Sequence, residues 1–529
     1  MVKKQKKVLA LILASTMALS VVLSGCAKKS ADTQQSTGKS GGILTVALSS
    51  IPKNLDPIKY TGIYESDVIC NVADTIVSYN RDLTKVIPNL ATEWTVSEDG
   101  KVYDFKLRND VYFQKGKYQD GRKMTAADVK YALERSAKQS AMKRLAALDH
   151  VDVVNDNEVK CYLNSPDASF LTVLTDAGNV IVPKEEVEGY GDEFGSHLVG
   201  TGPFTLQEFK KDTYAKLVRN DKFWGQKPYL DGVTFKFITD SNMMVNALKT
   251  NEIQVATDVK GEGVKLIQDD STFDLQKVSG LQVAYIYMNL LTGPTKDKKV
   301  REAIYSAIDM DQLVKGIYQY GEAQRAFLPV PPGSWGYDKN LESLIPKYDV
   351  AKAKQLLTEA GYPNGFKTQM YISNTAARIK MATIVQQFLK QNLNIDVEIK
   401  PSEWGTFSDI AAKGKAPIYA MSWSWYPDPF FFLNKMFHSS EIGALGNGQG
   451  YNNPAVDKLL DDALLTADQN LRAAKYKEAS KLIVTDLPAI WYANESVIYG
   501  LNKKVKGLKV RADSNKRLVD SEVNVYLEK

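Results

Sequence analysis

The chain has 529 residues, of which 44% are hydrophobic and 24% charged, the balance of an ordinary globular protein. This length exceeds what one hydrophobic core organises, so we expect two or more domains. The formal net charge is +5, but the lysines between residues 3 and 7 lie in a segment that reads as removable. The remainder then carries about +1, which argues against a nucleic-acid-binding protein.

The N-terminal segment has the pattern of a bacterial lipoprotein signal. The basic run Lys3–Lys7 precedes the apolar run Val8–Leu23, which is short for a membrane-spanning helix. The run ends in LSGC, which resembles the lipobox, whose cysteine is acylated and becomes the first residue after cleavage. We therefore expect residues 1–25 to be a signal peptide and Cys26 to carry a lipid anchor. The alternative is a plain secretory signal with an incidental cysteine.

Residues 27–41 contain small and polar side chains and no large apolar one. This composition is typical of a flexible tether, which with Cys26 gives a linker over 26–41. No later stretch is apolar enough to span a bilayer. Cys70 and Cys161 each stand in an apolar pattern and are expected to be buried free thiols, although an oxidising compartment would permit a bridge.

The first elements of the mature chain follow in order. Gly42–Leu48 alternates like a strand, and Glu65–Ser78 has the apolar spacing of an amphipathic helix. A turn at 98–100 leads into the alternating strand Val102–Leu107. After a second turn, Thr125 is placed to cap a helix.

The stretch Ala91–Ser136 resembles the signature of the solute-binding proteins of peptide-type ABC importers. That family holds oligopeptide, dipeptide and nickel-chelate receptors. The matching residues are Trp94, Ser97, Asp99, Gly100, Tyr103, Phe105, Leu107, Arg108, Phe113, Gly116, Thr125, Ala126, Asp128 and Val129, with an insertion-like run at Lys117–Asp120. Further family motifs are matched at Val199–Phe204, Asn220–Trp224, Lys299–Gly316, Asp349–Gly361 and Gly450–Leu460.

The resemblance implies an α/β protein with the two-lobed fold of periplasmic binding proteins, of type II and of the large class with a subdomain inserted in lobe one. The implied bounds are 42–283 and 494–529 for lobe one, about 65–190 for its insert, and 284–493 for lobe two. The chain would cross between lobes at Val283–Asn289 and Ile490–Ser496, both of which have the apolar pattern of strands.

An exported hydrolase is the rival class. It would need an activated nucleophile, a metal set or two poised carboxylates. The sequence has no H-E-x-x-H and no phosphate-binding loop, and its one G-x-S-x-G match, Gly38–Gly42, lies at the end of the polar tether and not in the context of a catalytic nucleophile. Its three histidines are not spaced as a metal pair. We therefore expect no catalytic residues, no cofactor and no metal site.

The most aromatic stretch is Met421–Phe432, MSWSWYPDPFFF. Its alternation predicts a strand that ends at Pro427, after which Asp428 caps a helix. Trp423 and Trp425 are thus carried to the end of a strand, where open α/β sheets commonly bind ligands. Packing in a core is the alternative for both rings.

The same stretch resembles the family's W-x-A-D-Y-P-D-P, with a departure at Trp425. The family places there an aspartate that pairs with the ligand's α-amine. An indole offers only a weaker cation–π contact, so a free amine anchored in the usual way is not expected. Two neighbouring indoles also suit stacking on a sugar face or on an apolar side chain.

Further ligand-binding candidates lie elsewhere in the sequence. Trp404 aligns with an aromatic residue of the family's cleft. Tyr285, Tyr287 and Asn289 share one face of the first crossing, and Tyr64 follows a loop. A place in the core is equally open for the two crossing tyrosines.

We expect, then, a receptor that captures a peptide-like solute between two lobes and delivers it to the permease subunits of an ABC importer. It would be a monomer, lipid-anchored at the extracytoplasmic face of the cell membrane, and would bind no nucleic acid. An oligosaccharide or another small non-peptide solute is the alternative ligand, and an exported hydrolase is the least favoured function.

Overall fold

The computed structural model describes residues 39–140, 142–424 and 426–528. The predicted signal peptide, the anchor residue Cys26 and the tether up to residue 38 lie outside the described residues, as does Trp425. Predictions for these positions therefore rest on the sequence alone.

The strands are short except for two. In chain order they are β1 (Lys39–Ser40), β2 (Ile43–Leu48), β3 (Val77–Tyr79), β4 (Val86–Pro88), β5 (Ala91–Val96), β6 (Val102–Leu107), β7 (Leu148–Asn155), β8 (Glu158–Leu163), β9 (Phe204–Lys210), β10 (Tyr214–Arg219), β11 (Gly232–Phe237), β12 (Val255–Ala256), β13 (Phe273–Met288), β14 (Ala323–Arg325), β15 (Lys367–Ser373), β16 (Asp396–Ser402), β17 (Ile418–Ser424), β18 (Ala489–Asn502), β19 (Val505–Lys506) and β20 (Tyr526–Glu528).

The helices are distributed along the whole described chain. They are α1 (Ile63–Val72), α2 (Ala126–Gln139), α3 (Phe170–Val173), α4 (Lys184–Tyr190), α5 (Ser241–Lys249), α6 (Glu262–Gln268), α7 (Lys298–Ser306), α8 (Met310–Ile317), α9 (Val350–Glu359), α10 (Ala376–Leu393), α11 (Trp404–Ala412), α12 (Pro429–Phe437), α13 (Pro454–Leu464) and α14 (Gln469–Asp486). Short 3₁₀ turns lie at Ala177–Asn179, Gly191–Ser196, Pro294–Lys296, Lys339–Leu344 and Ser439–Glu441.

Strands from distant parts of the chain join in one eleven-stranded sheet. Its order is β16-β15-β17-β13-β18-β12-β2-β11-β10-β9, and β14 also pairs with β18. The central strands β13 and β18, of 16 and 14 residues, run antiparallel to each other. Strands β15–β17 lie on one side of this pair and β2 with β9–β12 on the other. The two long strands thus connect two halves of the sheet.

The buried side chains form separate hydrophobic cores. The largest core draws on residues 281–493 together with Tyr79 and Leu83; the others draw on 44–255 with 497–525, on 76–181 with Phe431, and on 244–273 with Ala47 and Ile498. We call the part of the molecule around the largest core the second lobe, and the part around the other cores the first lobe. A four-stranded sheet, β5-β6-β8-β7, belongs to the first lobe.

Several of the predicted helices and strands are confirmed. Two of these helices begin at capping residues that bond to backbone within three positions. Helix α2 begins after Thr125, which forms a capping box with Asp128. Helix α9 begins after Asp349, whose carboxylate accepts from the N–H of Lys352 at 2.9 Å. Both predicted crossings are strands, as parts of β13 and β18. Such side chains satisfy backbone donors that the first helical turn leaves unpaired.

The predicted helix over Glu65–Ser78 is wrong in its second half. Helix α1 ends at Val72, and Val77–Tyr79 is strand β3. The carbonyls of Thr75 and Ile76 accept from the N–H groups of Leu90 and Ala91 at 3.4 and 2.8 Å. Pairing with a segment that follows in the chain thus overrides the helical spacing of the apolar residues.

The two described cysteines behave as predicted. Cys70 and Cys161 are free and buried. Burial raises the pKa of both thiols, so both stay protonated. They act as small apolar side chains of two different cores.

A candidate ligand cavity between the lobes

A cavity of about 1280 Å³ lies where the two lobes meet. The first lobe lines it with Tyr60–Tyr64 and with loops that include Asp176. The second lobe contributes residues of the aromatic stretch, and the two long strands contribute Gly280–Gln282 and Glu495–Val497. Sites for small molecules measure roughly 300–1,000 Å³, so this cavity has room for a ligand of several linked residues.

Strand β17 brings the aromatic stretch to the wall of this cavity. The strand pairs with β13, with Ser424 opposite Gln282, and ends there. Ser424, Tyr426, Pro427 and the phenylalanines at the start of α12 line the cavity. The change from strand to helix at Pro427 therefore exposes successive side chains to the space between the lobes.

Asp428, in contrast, is buried and hydrogen-bonded to other groups of the protein. It is 1% exposed and accepts from the N–H of Phe430 at 3.0 Å, as the predicted helix cap. Its other oxygen accepts from Arg472 at 2.7 Å and from the hydroxyl of Thr172 at 3.1 Å. These bonds leave Asp428 with no role toward a ligand, and the last of them links the two lobes.

A cluster of four side chains forms another part of the wall. Tyr60 and Tyr426 donate to Asp176, the latter at 2.6 Å, and Arg144 pairs with the same carboxylate at 2.9 Å. The guanidinium of Arg144 also lies 4.3 Å from the centre of the Tyr60 ring. Burial and then the charge of Asp176 raise the pKa of both phenols. The phenols therefore remain protonated donors that hold the carboxylate in place.

A buried ion pair lies behind the wall of the first lobe. The ammonium of Lys516 is 2.8 Å from Asp67, and both side chains are essentially inaccessible. Asp258, which lines the cavity, lies 3.9 Å from the same ammonium. Burial raises the pKa of Asp67, and the charge of Lys516 opposes that rise. Together with the hydrogen bond that the Asn71 amide donates to the carbonyl of Lys516, the pair ties the C-terminal segment to α1.

The predicted tyrosines of the first crossing serve the core of the second lobe. Tyr285 and Tyr287 are 0% exposed, and their rings stack at 5.3 Å. The Tyr285 hydroxyl donates to the carbonyl of Pro329 at 2.9 Å, and that of Tyr287 lies 3.2 Å from the sulfur of Met436. Tyr287 also stacks on Tyr419 at 4.7 Å, so this face of β13 lies in the core of the second lobe and not at the cavity.

Asn289 is also buried, and it organises the loop after β13. Its amide donates to the carbonyl of Gly414 at 2.8 Å, and its oxygen accepts from the N–H groups of Leu291 and Thr292 at 2.9 Å. These contacts use both ends of the side chain. Asn289 therefore fixes a turn and does not line the cavity.

The remaining predicted residues divide between surface, core and cavity. Trp404 is 56% exposed at the first turn of α11 and packs on Phe407. Trp423 is half-buried against the core of the second lobe. Tyr64 lines the cavity, and its oxygen accepts from the hydroxyl of Ser49 at 3.1 Å. Among the predicted residues that the structure describes, Tyr64 is thus the one found at the cavity.

Sequence reasoning missed Asp176, Tyr426 and Glu495 as cavity residues. Asp176 and Tyr426 carried no local signal for the cavity, because their contact joins segments 250 positions apart in the chain. Glu495 did carry one, since it is a charged residue within the otherwise apolar and small-residue run of β18. Over the described ranges, no cluster of three or more His, Cys, Asp or Glu residues has the arrangement of a metal site.

Comparison with known proteins decides the family. Residues 85–444 match the model of the bacterial extracellular solute-binding proteins, family 5. The chain belongs to this family. The dipeptide-binding protein of Escherichia coli is 30% identical over 462 residues, which are 82% of this chain and 85% of that protein. Heme-binding protein A of Haemophilus influenzae is 29% identical over 462 residues, 82% and 84% of the two chains.

A solved structure shows the same fold. The periplasmic binding protein DppA of Helicobacter pylori, in complex with the peptide STSA, has 31% identity and a TM-score of 0.74. The match covers 93% of this chain and 99% of that one. The predicted α/β, two-lobed fold of the periplasmic binding proteins is thereby confirmed, and the chain is an extracytoplasmic solute-binding protein. Within residues 39–528, apart from the two positions not described, no helix has the length and apolar character to cross a membrane.

Proposed function

We propose that the protein is the receptor of an ABC importer that holds a peptide-like solute in the cavity between its lobes and delivers it to the permease. The observation that carries this proposal is the cavity of about 1280 Å³, lined by both lobes and by the strands that join them. A relative named for dipeptides and a similar structure solved with a tetrapeptide support the choice of peptide.

Capture would use the two long strands as a hinge. The β13–β18 ladder loses its regular register between Ser279 and Gln282, next to the cavity, and again between Ala284 and Tyr285. Irregular pairing bends a strand and weakens it locally. We propose that lobe one, 42–283 with 494–529 and an insert at about 65–190, closes on lobe two, 284–493, about this place. A ligand drives closure when it contacts both lobes.

Binding without turnover is part of the proposal. The named relatives are binding proteins. The tyrosines of the cavity wall have raised pKa values and act as hydrogen-bond donors, which makes them poor nucleophiles. We further propose that Cys26 is acylated, so that the receptor is a monomer tethered to the outer face of the cell membrane.

Native mass spectrometry of the full chain, purified in detergent without refolding, tests the ligand class. A co-purified peptide, released on denaturation, is the expected result. Calorimetry with STSA then measures affinity, and we expect a dissociation constant near micromolar, about −8 kcal/mol, which allows both capture and release. Recovery of an oligosaccharide or another small solute would replace the peptide proposal. Chemically altered STSA after incubation would indicate a hydrolase.

A further inference from the structure

Glu495 is a carboxylate without a cationic partner in the wall of the cavity. It lies half-buried on β18 and accepts one hydrogen bond, from the hydroxyl of Tyr318 at 3.0 Å. Among the residues that the structure describes, no lysine, arginine or histidine nitrogen pairs with it within 4.0 Å. A partly buried charge without a counter-charge is costly, so a group that supplies the missing cation would be stabilised there.

The other acids of the cavity wall are engaged by the protein. Asp176 pairs with Arg144, and Asp513 with Arg511 at 2.8 Å. Glu322 accepts from the N–H groups of Gly261 and Tyr320, both at 2.9 Å. Asp258 lies 3.9 Å from the ammonium of Lys516, which also pairs with Asp67. Asp167 accepts from the N–H and hydroxyl of Ser169 at 2.9 and 2.6 Å. Glu495, by contrast, has a single neutral donor.

The guanidinium of Arg378 is bonded to other groups. Arg378 donates to the hydroxyl of Tyr492 at 2.5 Å and also to that of Ser422. Burial keeps the Tyr318 phenol protonated by raising its pKa, so its hydroxyl occupies one of the lone-pair positions of Glu495 as a neutral donor. The remaining positions stay open to a ligand.

The sheet places Glu495 at the joint between the lobes. Gln282 of β13 is opposite Ser424 of the second lobe on one side and opposite Glu495 on the other. All three residues line the cavity. Adjacent strands are about 4.8 Å apart, so the backbones of Ser424 and Glu495 are separated by about 10 Å. A cation held by Glu495 is therefore within reach of groups on both lobes.

We infer that Glu495 is a specificity-determining residue that binds a cationic group of the solute, either the N-terminal ammonium or a basic side chain. This inference rests on the proposed peptide-binding function. A charge-assisted bond from an ammonium to a desolvated carboxylate is among the stronger polar contacts available to a ligand. It selects cationic over neutral ligands of equal size.

The test compares wild type, Glu495→Gln and the control Asp167→Asn, which removes another acid from the same cavity. Calorimetry on the full chain uses STSA, which has no basic side chain, and its N-acetylated form. Gln keeps the acceptor for Tyr318, so Glu495→Gln retains the fold, and thermal melting checks this. If Glu495 binds the N-terminal ammonium, we expect this variant to weaken STSA binding by about 30-fold or more, the scale for truncating one partner of a buried charge pair. Asp167→Asn is expected to change binding less than threefold.

Acetylation identifies the source of the cation. If the N-terminal ammonium is bound, acetylated STSA binds wild type weakly and Glu495→Gln causes no further loss. If a side chain is bound, N-acetyl-Ser-Thr-Lys-Ala binds wild type tightly and loses affinity in Glu495→Gln. Equal binding of STSA by wild type and Glu495→Gln, with the lysine peptide also unaffected, overturns the inference and leaves the proposed function intact. Failure of wild type to bind any of the three peptides, or a random tetrapeptide mixture, overturns both.

Discussion

The hydroxyl of Tyr426 donates to the carboxylate of Asp176 at 2.6 Å across 250 positions of the chain. Tyr426 follows strand β17 of the second lobe, and Asp176 belongs to the first lobe. The Tyr426 ring also packs edge-on against Phe431 at 4.7 Å, and Phe431 enters a core of the first lobe. The two lobes are therefore held together by a charge-assisted hydrogen bond and by shared apolar packing.

Tyr426→Phe should loosen this contact while keeping the ring. A hydrogen bond to a charged group contributes about 1.5–3 kcal/mol, which is enough to shift an equilibrium between closed and open lobes. We expect a larger radius of gyration in solution scattering without added ligand. Tyr64→Phe is the control, because the bond of Tyr64 to Ser49 stays within the first lobe. An unchanged radius for Tyr426→Phe would show that the other contacts between the lobes, which include the Thr172–Asp428 hydrogen bond and the apolar packing, hold the lobes together without it.

Asp67→Asn should destabilise the first lobe strongly. Lys516 would remain buried with its main counter-charge removed, and breaking one side of a buried ion pair costs about 3–5 kcal/mol. Urea unfolding measures the loss. The control is Asp269→Asn, which breaks the exposed pair with Lys265 and should have little effect.

Replacing the ion pair with two apolar residues tests the cause of that loss. The double variant Asp67→Leu with Lys516→Met removes both charges and should recover much of the stability. If the double variant is as unstable as Asp67→Asn, the hydrogen bonds to the neighbouring backbone matter more than the charge balance.

Cys26→Ser should release the protein from the membrane fraction or leave its signal segment uncleaved, because the side chain that accepts the lipid is lost. Fractionation with mass determination of the product measures this. The lipobox interpretation is wrong if the variant stays in membranes at the mature mass.

Trp425→Ala should weaken solute binding by about 2–4 kcal/mol if the ligand covers the indole. Its neighbours Ser424 and Tyr426 line the cavity, while the position itself lies outside the described residues. Trp404→Ala is the matched control, since Trp404 is exposed at α11 away from the cavity wall. Calorimetry with one identified ligand compares them. If Trp425→Ala leaves the affinity unchanged, the alternative interpretation, in which this indole packs in a core, is favoured.

The sequence by itself determined the family and the elements whose signals are local. Helix starts at Thr125, Asp349 and Asp428 follow from side chains that bond the backbone within three residues. The strand at 418–424 follows from its alternation. Such features need no knowledge of distant residues, which is why they could be predicted.

Only the tertiary structure decided which residues meet at the cavity. Alternation placed Tyr285 and Tyr287 on one face of a strand, but packing against Tyr419 and Met436 makes that face part of the core. Tyr426 and Asp176 come together through the docking of two lobes. Glu495 differs from the other cavity acids because it accepts a single hydrogen bond, from Tyr318, and has no cationic partner among the described residues. Each outcome depends on contacts between segments hundreds of residues apart, and the local pattern of a sequence does not contain them.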